Sequence, residues 1–218
     1  MVFLSVVAVI LAYLIGSINF AVIFSAVFMK KDVRELGSGN AGTTNVMRNG
    51  GFLPGALTFL CDALKGFVAS FIGLKIFEYI SHFEGEWSMP IYGALVCGLA
   101  CMLGHVFPIF FGFKGGKGVA TSVGIFYVCN PLAITLGLVA FALILLTTKY
   151  VSLSSLIATI VVVTLSIVFY DLNAYILPQI ILVVAMGAIV FLKHTENIKR
   201  LIHGTESKIG SKRRKNNA

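Results

Sequence analysis

From Val2 to Met29 the chain carries no charged residue, and long runs with few or no charges recur until Leu192. About 20 apolar residues suffice for a helix to cross the hydrocarbon core of a bilayer. Lipid offers backbone amides and carbonyls no hydrogen-bonding partner, so a spanning segment has to satisfy them internally, as a helix does. Only 12% of the residues are charged, against roughly a quarter in a soluble domain, and the deficit is concentrated in these runs. The sequence therefore predicts an all-α, polytopic integral membrane protein. Its net charge of +8 does not point to nucleic acid, because the basic residues fall between apolar runs, where lysine and arginine mark the cytoplasmic side.

Charge placement also sets an expected topology. Val2 to Met29 ends in Lys30, Lys31 and Arg34, which puts that end in the cytoplasm and the N-terminus outside. The run is too long for a signal-peptide core and lacks its basic flank, so it reads as a retained first span. Phe52 to Ile80 and Pro90 to Phe111 follow, joined by a segment, Ser81 to Ser88, with no lysine or arginine. Val119 to Thr148 is interrupted by Asn130-Pro131, a turn signal. Two crossings there keep Lys149 and the basic C-terminal segment cytoplasmic; one crossing puts them outside. The charges favour two, at the cost of a short fourth helix of about 18 Å at 1.5 Å per residue. Ser152 to Tyr170 and Ala174 to Leu192 complete seven spans, N-terminus outside and C-terminus cytoplasmic. All lysines and arginines except Lys65 and Lys75 then lie on the cytoplasmic side. Residues 1–208 form one expected membrane-embedded domain, and 209–218 a basic, disordered cytoplasmic tail.

Three polar segments share that cytoplasmic side. Gly37 to Arg48 contains a formal GxGxxG, but no strand precedes it, so a dinucleotide fold is excluded. The physics of such a loop survives the loss of the motif: glycines let backbone N–H groups converge on an anion, and hydroxyls and amides add donors. Ser38, Gly39, Asn40, Thr44 and Asn45 are candidates for that work, and Arg48 can grip a phosphate bidentately. The second segment holds His105 and then Lys114-Gly115-Gly116-Lys117-Gly118 at the start of the short helix. It fails the P-loop pattern, yet unpaired N–H groups at a helix N-terminus suit phosphate. In the third segment, His194 and Asn197 are spaced i, i+3 on an expected continuation of the last span, followed by Lys199 and Arg200.

Smaller features carry less. Cys61, Cys97, Cys101 and Cys129 lie in apolar runs and read as small buried hydrophobes, with no disulfide framework and no zinc pattern. Asp62 and Lys65, an intramembrane ionic pair on the second span, read as an internal brace for the site. Ser152, Ser154 and Ser155 at the start of the sixth span read as caps, packing residues or a substrate contact.

Taken together, GSGNAGTTNVMRNGG (Gly37 to Gly51), GHVFPIFFGFKGGKGVAT (Gly104 to Thr121) and KHTENIKRLIHGTESK (Lys193 to Lys208) resemble the three signature blocks of the PlsY-type bacterial acyl-phosphate:glycerol-3-phosphate acyltransferases. The resemblance runs from Tyr13 to Lys208 in the expected order. One departure is Asn19, where that family usually has proline. The resemblance implies transfer of an acyl group from acyl phosphate to the sn-1 hydroxyl of glycerol 3-phosphate, yielding lysophosphatidic acid and phosphate. It implies no cofactor, no metal, no nucleic acid and no obligate protein partner, in a bacterial cytoplasmic (inner) membrane. Ser38, Arg48, Lys117, His194 and Asn197 resemble its active-site residues, with a serine of the 152–155 cluster beside them. A transporter of organic phosphate is the alternative from another class; against it stand the absence of an inverted repeat and the crowding of the motifs on one face.

Overall fold

The structure is a computed structural model and describes residues 2–84, 90–169 and 176–210. Among these, the regular structure is helical throughout. The first apolar run is divided into α1 (Val2–Gly16) and α2 (Phe20–Met29), where a single unbroken helix was expected. The break has a local cause. The side chain of Asn19 accepts a hydrogen bond from Val22 N at 3.3 Å and so caps α2. Asn19 thus supplies the cap that starts the second helix.

A 3-10 turn (Val33–Glu35) and a short helix α3 (Thr43–Gly50) lead into α4 (Phe52–Glu84), the longest element. Then come α5 (Pro90–Val106), a second 3-10 turn (Ile109–Phe111), α6 (Val119–Cys129) and α7 (Pro131–Thr148). The expected interruption at Asn130-Pro131 is present: Asn130 Oδ1 accepts from Ala133 N at 3.0 Å, and proline fits the first helical position because its missing N–H would be unpaired there anyway. α8 (Val151–Val168), α9 (Ile176–Lys193) and α10 (Thr195–Ile202) end the described helices. Among the described residues, five runs are long and apolar enough to cross a bilayer, a sixth arises if the bent α9–α10 pair is one span, and α6 is shorter. The expected turn at Asp171 to Asn173, the second half of the expected outside segment Ser81 to Ser88, and the tail from Ser211 lie outside the described residues.

α4 is the central post, packed against α1, α3, α5 and α6, while α7, α8 and α9 form a second layer. Lipid removes much of the hydrophobic incentive for helices to associate, so close backbone approach and hydrogen bonding matter more. α4 and α6 meet through Gly66 and Gly124: a Cβ on Gly66 would overlap the Thr121 carbonyl oxygen, and one on Gly124 the Ala63 carbonyl oxygen. That contact seats the short α6, and with it the loop that precedes it. Some buried hydroxyls bond within their own helices, as in Thr58 Oγ1 to Pro54 O at 2.7 Å and Ser154 Oγ to Tyr150 O at 2.8 Å.

Candidate active site

The three polar segments converge, and specific long-range bonds bring them together. In the first, Asp32 accepts from Arg34 Nε and Nη2, and Arg34 Nη1 reaches across to the Phe111 carbonyl at 2.7 Å. This ties the first loop to the second. Asn45 has a different job from the phosphate contact expected of it. Its buried Nδ2 donates to the Val33, Leu36 and Asn40 carbonyls, while Oδ1 accepts from Ser38 N and Asn49 Nδ2. The amide is fully committed to shaping the loop and has no donor left for a ligand. Around it, Ser38 and Gly39 are exposed and Asn40 half-buried, and the Ser38 hydroxyl makes no hydrogen bond among the described residues. Gly39 sits at φ +72°, a backbone that L side chains resist. Thr44 and Arg48 lie one turn apart on α3, and Arg48 Nη2 donates to the Ser207 carbonyl at 2.8 Å.

The second segment is anchored at several points. Tyr13 Oη donates to the Phe107 carbonyl at 2.8 Å and Gly116 N to the His105 carbonyl at 3.1 Å. Lys114 is exposed, whereas Lys117 is half-buried and its Nζ donates to Asn197 Oδ1. His105 is buried, with Nδ1 3.5 Å from Asp62 Oδ1.

In the third segment the expected continuous helix bends by 56° at His194, between α9 and α10. His194 is 3% exposed. Its Nδ1 lies 2.8 Å from the Val190 carbonyl, an acceptor only, which assigns the proton to Nδ1 and leaves Nε2 as the acceptor. Asn197 still falls on the same side, because Ile198 N continues the hydrogen-bond ladder to His194 O.

Glu206 joins these pieces, and the sequence reading gave it no role. Its Oε1 accepts from Ser152 Oγ at 2.8 Å and Asn197 Nδ2 at 2.7 Å, and its Oε2 from Arg200 Nε at 2.7 Å. A continuous path thus runs from Lys117 through Asn197 to Glu206, Ser152 and Arg200. The signal available in sequence was slight: one acid in Gly204 to Lys208, within a basic segment. The strap that carries it is held at its far end by Ile209 N to the Lys149 carbonyl at 2.8 Å. Ser155 stays out of this network, since its hydroxyl bonds the Val151 carbonyl one turn back.

Burial and charge tune the groups. Burial, with the neighbouring charges of Arg200, Arg48 and Lys193, lowers the Lys117 ammonium to about 8, although Glu206 pulls the other way. Burial and then the Lys117 charge push the His194 imidazole down to about 4, so it is neutral at pH 7. Burial opposes ionisation of Glu206, but the hydrogen bonds from Arg200, Asn197 and Ser152 outweigh it and hold its carboxyl below the usual range. The site therefore combines a cation, an uncharged imidazole with one open lone pair, and an anion locked behind both.

An apolar groove between α6, α7, α8 and α9 opens beside this network, lined by residues that include Val119, Phe126, Gly137, Val162, Met186 and Val190. Val119 lies two residues from Lys117, and Val190 carries the carbonyl that holds His194. The arrangement offers phosphate donors at one end and a hydrocarbon seat at the other. Among the described residues, no group of three or more His, Cys, Asp or Glu is arranged to hold a metal ion.

Residues 6–204 match the family described as glycerol-3-phosphate acyltransferase. Glycerol-3-phosphate acyltransferase 2 of Bacillus anthracis is 44% identical over 206 residues, covering 94% of this chain and 100% of the relative. The glycerol-3-phosphate acyltransferase of Finegoldia magna is 39% identical over 201 residues, covering 92% and 94%. Crystal structures of PlsY, an integral membrane glycerol 3-phosphate acyltransferase, resemble this fold. Its glycerol 3-phosphate form gives a TM-score of 0.82 at 37% identity, covering 94% of this chain and 96% of that one. Its lysophosphatidic acid form gives 0.79 at 36%, covering 94% and 95%.

Proposed function

Since this chain belongs to the glycerol-3-phosphate acyltransferase family and is a multi-pass membrane acyltransferase, we propose that it takes the acyl group from acyl phosphate. The acceptor is the sn-1 hydroxyl of glycerol 3-phosphate, and the products are lysophosphatidic acid and phosphate. The observation that carries this reading is the path from Lys117 through Asn197 to Glu206, next to His194 and at the mouth of an apolar groove. An anionic headgroup on a fatty chain, as in acyl phosphate, fits that juxtaposition. The glycerol 3-phosphate and lysophosphatidic acid forms of the solved relative support the acceptor and the product.

In the reaction, the glycerol hydroxyl oxygen bonds to the acyl carbonyl carbon, and the bond from that carbon to the phosphate oxygen breaks. Acyl phosphate is a mixed anhydride with a good leaving group, so no covalent enzyme intermediate is required. Positioning and charge stabilisation supply the acceleration. Lys117, with the backbone N–H of Gly115, meets the charge that develops on the departing phosphate, while the Gly116 N–H stays on the His105 carbonyl. Arg48 holds the phosphate of the acceptor, with Ser38, Gly39, Asn40 and Thr44 adding donors, and Lys114 attracts anions from outside the pocket. Nε2 of His194 accepts from the attacking hydroxyl and orients it. An imidazole with a pKa of about 4 is a weak base at neutral pH, so the proton ends on an oxygen of the leaving phosphate. Asn197 aims Lys117, and Ser152 helps fix Glu206. Seven spans, the N-terminus outside and the site facing the cytoplasm of a bacterial inner membrane complete the proposal, with residues 1–208 acting as one domain.

The test is phosphate release by purified protein from long-chain acyl phosphate, with and without glycerol 3-phosphate. Release that depends on glycerol 3-phosphate is the expected result. Turnover with an acyl thioester but not with acyl phosphate would overturn the donor assignment.

A further inference from the structure

Behind the site, and apart from the groups that face the opening, lies a second polar cluster formed by Asp62, Lys65 and His105. Asp62 is 1% exposed, Lys65 and His105 each 4%. Lys65 Nζ stands 2.8 Å from Asp62 Oδ1 and donates to the Ile18 carbonyl at 2.7 Å, with its ammonium also over the Phe20 ring at 5.6 Å from the centroid. His105 Nδ1 lies 3.5 Å from the same Asp62 oxygen. Charged groups between apolar helices are costly unless paired, and such a cluster marks an organising or functional role.

The other edge of His105 identifies that role. A Cβ on Gly116 would overlap His105 Nε2, and one on Gly115 would overlap the His105 carbonyl oxygen. Gly116 N donates to that carbonyl at 3.1 Å. The turn preceding Lys117 therefore lies directly on His105, at a distance only glycine permits. A Cβ on Gly116 would also come within 2.8 Å of the Ala41 carbonyl oxygen, so the first polar loop leans on the same spot. Lys65 meanwhile holds the Ile18 carbonyl, which the break between α1 and α2 has left without a helical partner.

We propose that Asp62 and His105 are positioning residues for Lys117. Asp62 places its carboxylate 3.5 Å from the edge of the imidazole, the imidazole supports the Gly115-Gly116 turn, and the turn aims the Lys117 ammonium at the reacting phosphate. Lys65 neutralises Asp62 and locks the cluster to the first span. This rests on the catalytic reading of Lys117 given above.

The experiment compares wild type, Asp62→Asn, His105→Gln and the charge-balanced double variant Asp62→Asn/Lys65→Met. For each, kcat, KM for glycerol 3-phosphate, and melting temperature in detergent are measured with acyl phosphate as donor. The expected result is a fall of tenfold or more in kcat in all three variants, with KM changed less than threefold. In the double variant, the melting temperature recovers while kcat stays low. A variant that folds and keeps wild-type kcat would overturn the proposal, as would activity in the double variant that recovers together with its stability. Failure of every variant to fold would assign the cluster to stability alone and also overturn it. The wild-type control reports separately on the donor: if it does not turn over acyl phosphate, the reading of the reaction fails, and the variants are then compared with the donor it does use.

Discussion

Two buried polar clusters sit in this protein, built from the same kinds of side chain and put to opposite ends. In the Asp62–Lys65–His105 cluster every charge is turned inward, onto another charge, a carbonyl or an aromatic ring. In the Glu206 cluster the anion is also buried, though less deeply, and its cations are more open. Lys117 is half-buried, Arg48 is exposed, and His194 keeps one nitrogen open. A closed cluster can only hold backbone in place. An open one can exchange a protein partner for a ligand, as when Arg48 trades the Ser207 carbonyl for a phosphate.

That contrast can be broken at several points. The largest effect is expected from Lys117→Ala, which removes the cation meeting the transition-state charge: kcat falls by about 10²–10³ with little change in melting temperature. Equal losses of kcat and stability would instead place Lys117 among the braces. Arg48→Ala should raise KM for glycerol 3-phosphate by roughly ten- to a hundredfold, the equivalent of losing a charge-assisted contact of about 1.5–3 kcal/mol. An unchanged KM would show that another group binds that phosphate.

Glu206→Gln tests the enclosed anion of the open cluster. It keeps the shape but weakens acceptance from Ser152 and Arg200, so unfolding free energy should drop by about 1–3 kcal/mol, with a smaller loss of activity than in Lys117→Ala. A pH profile sharpens the same point. Lys117 is cationic below its pKa of about 8, so kcat/KM should decline as pH rises through that value. Lys117→Arg keeps its charge there and should lose this alkaline limb even if its rate is lower. Smallest is the difference between two serines on α8: Ser152→Ala costs about 1 kcal/mol of stability and slows turnover a few-fold, whereas Ser155→Ala, whose hydroxyl serves only its own helix, leaves turnover near wild type.

Local information carried the outline of the helices. Asn130-Pro131 marks a break because asparagine caps and proline starts a helix wherever they occur. Asn19 was visible as a departure, but its consequence was not, since capping competes with helix continuation through a wholly apolar run. Asn45 shows the limit from the other side. Its residue type fits phosphate binding and loop bracing equally well, and only the positions of Val33, Leu36 and Asn40 decide between them.

By itself the sequence determined that this chain lies in a membrane, which segments are polar, and that those segments share an anion-handling composition. Charge, hydropathy and capping act over a few residues, so they can be read in order along the chain. The tertiary structure alone decided that Lys117 meets Asn197, 80 residues away, that Glu206 gathers Ser152 and Arg200, and that His105 turns back to Asp62. The reason is physical. A buried polar group must find a partner, and which partner is within reach depends on how the helices pack.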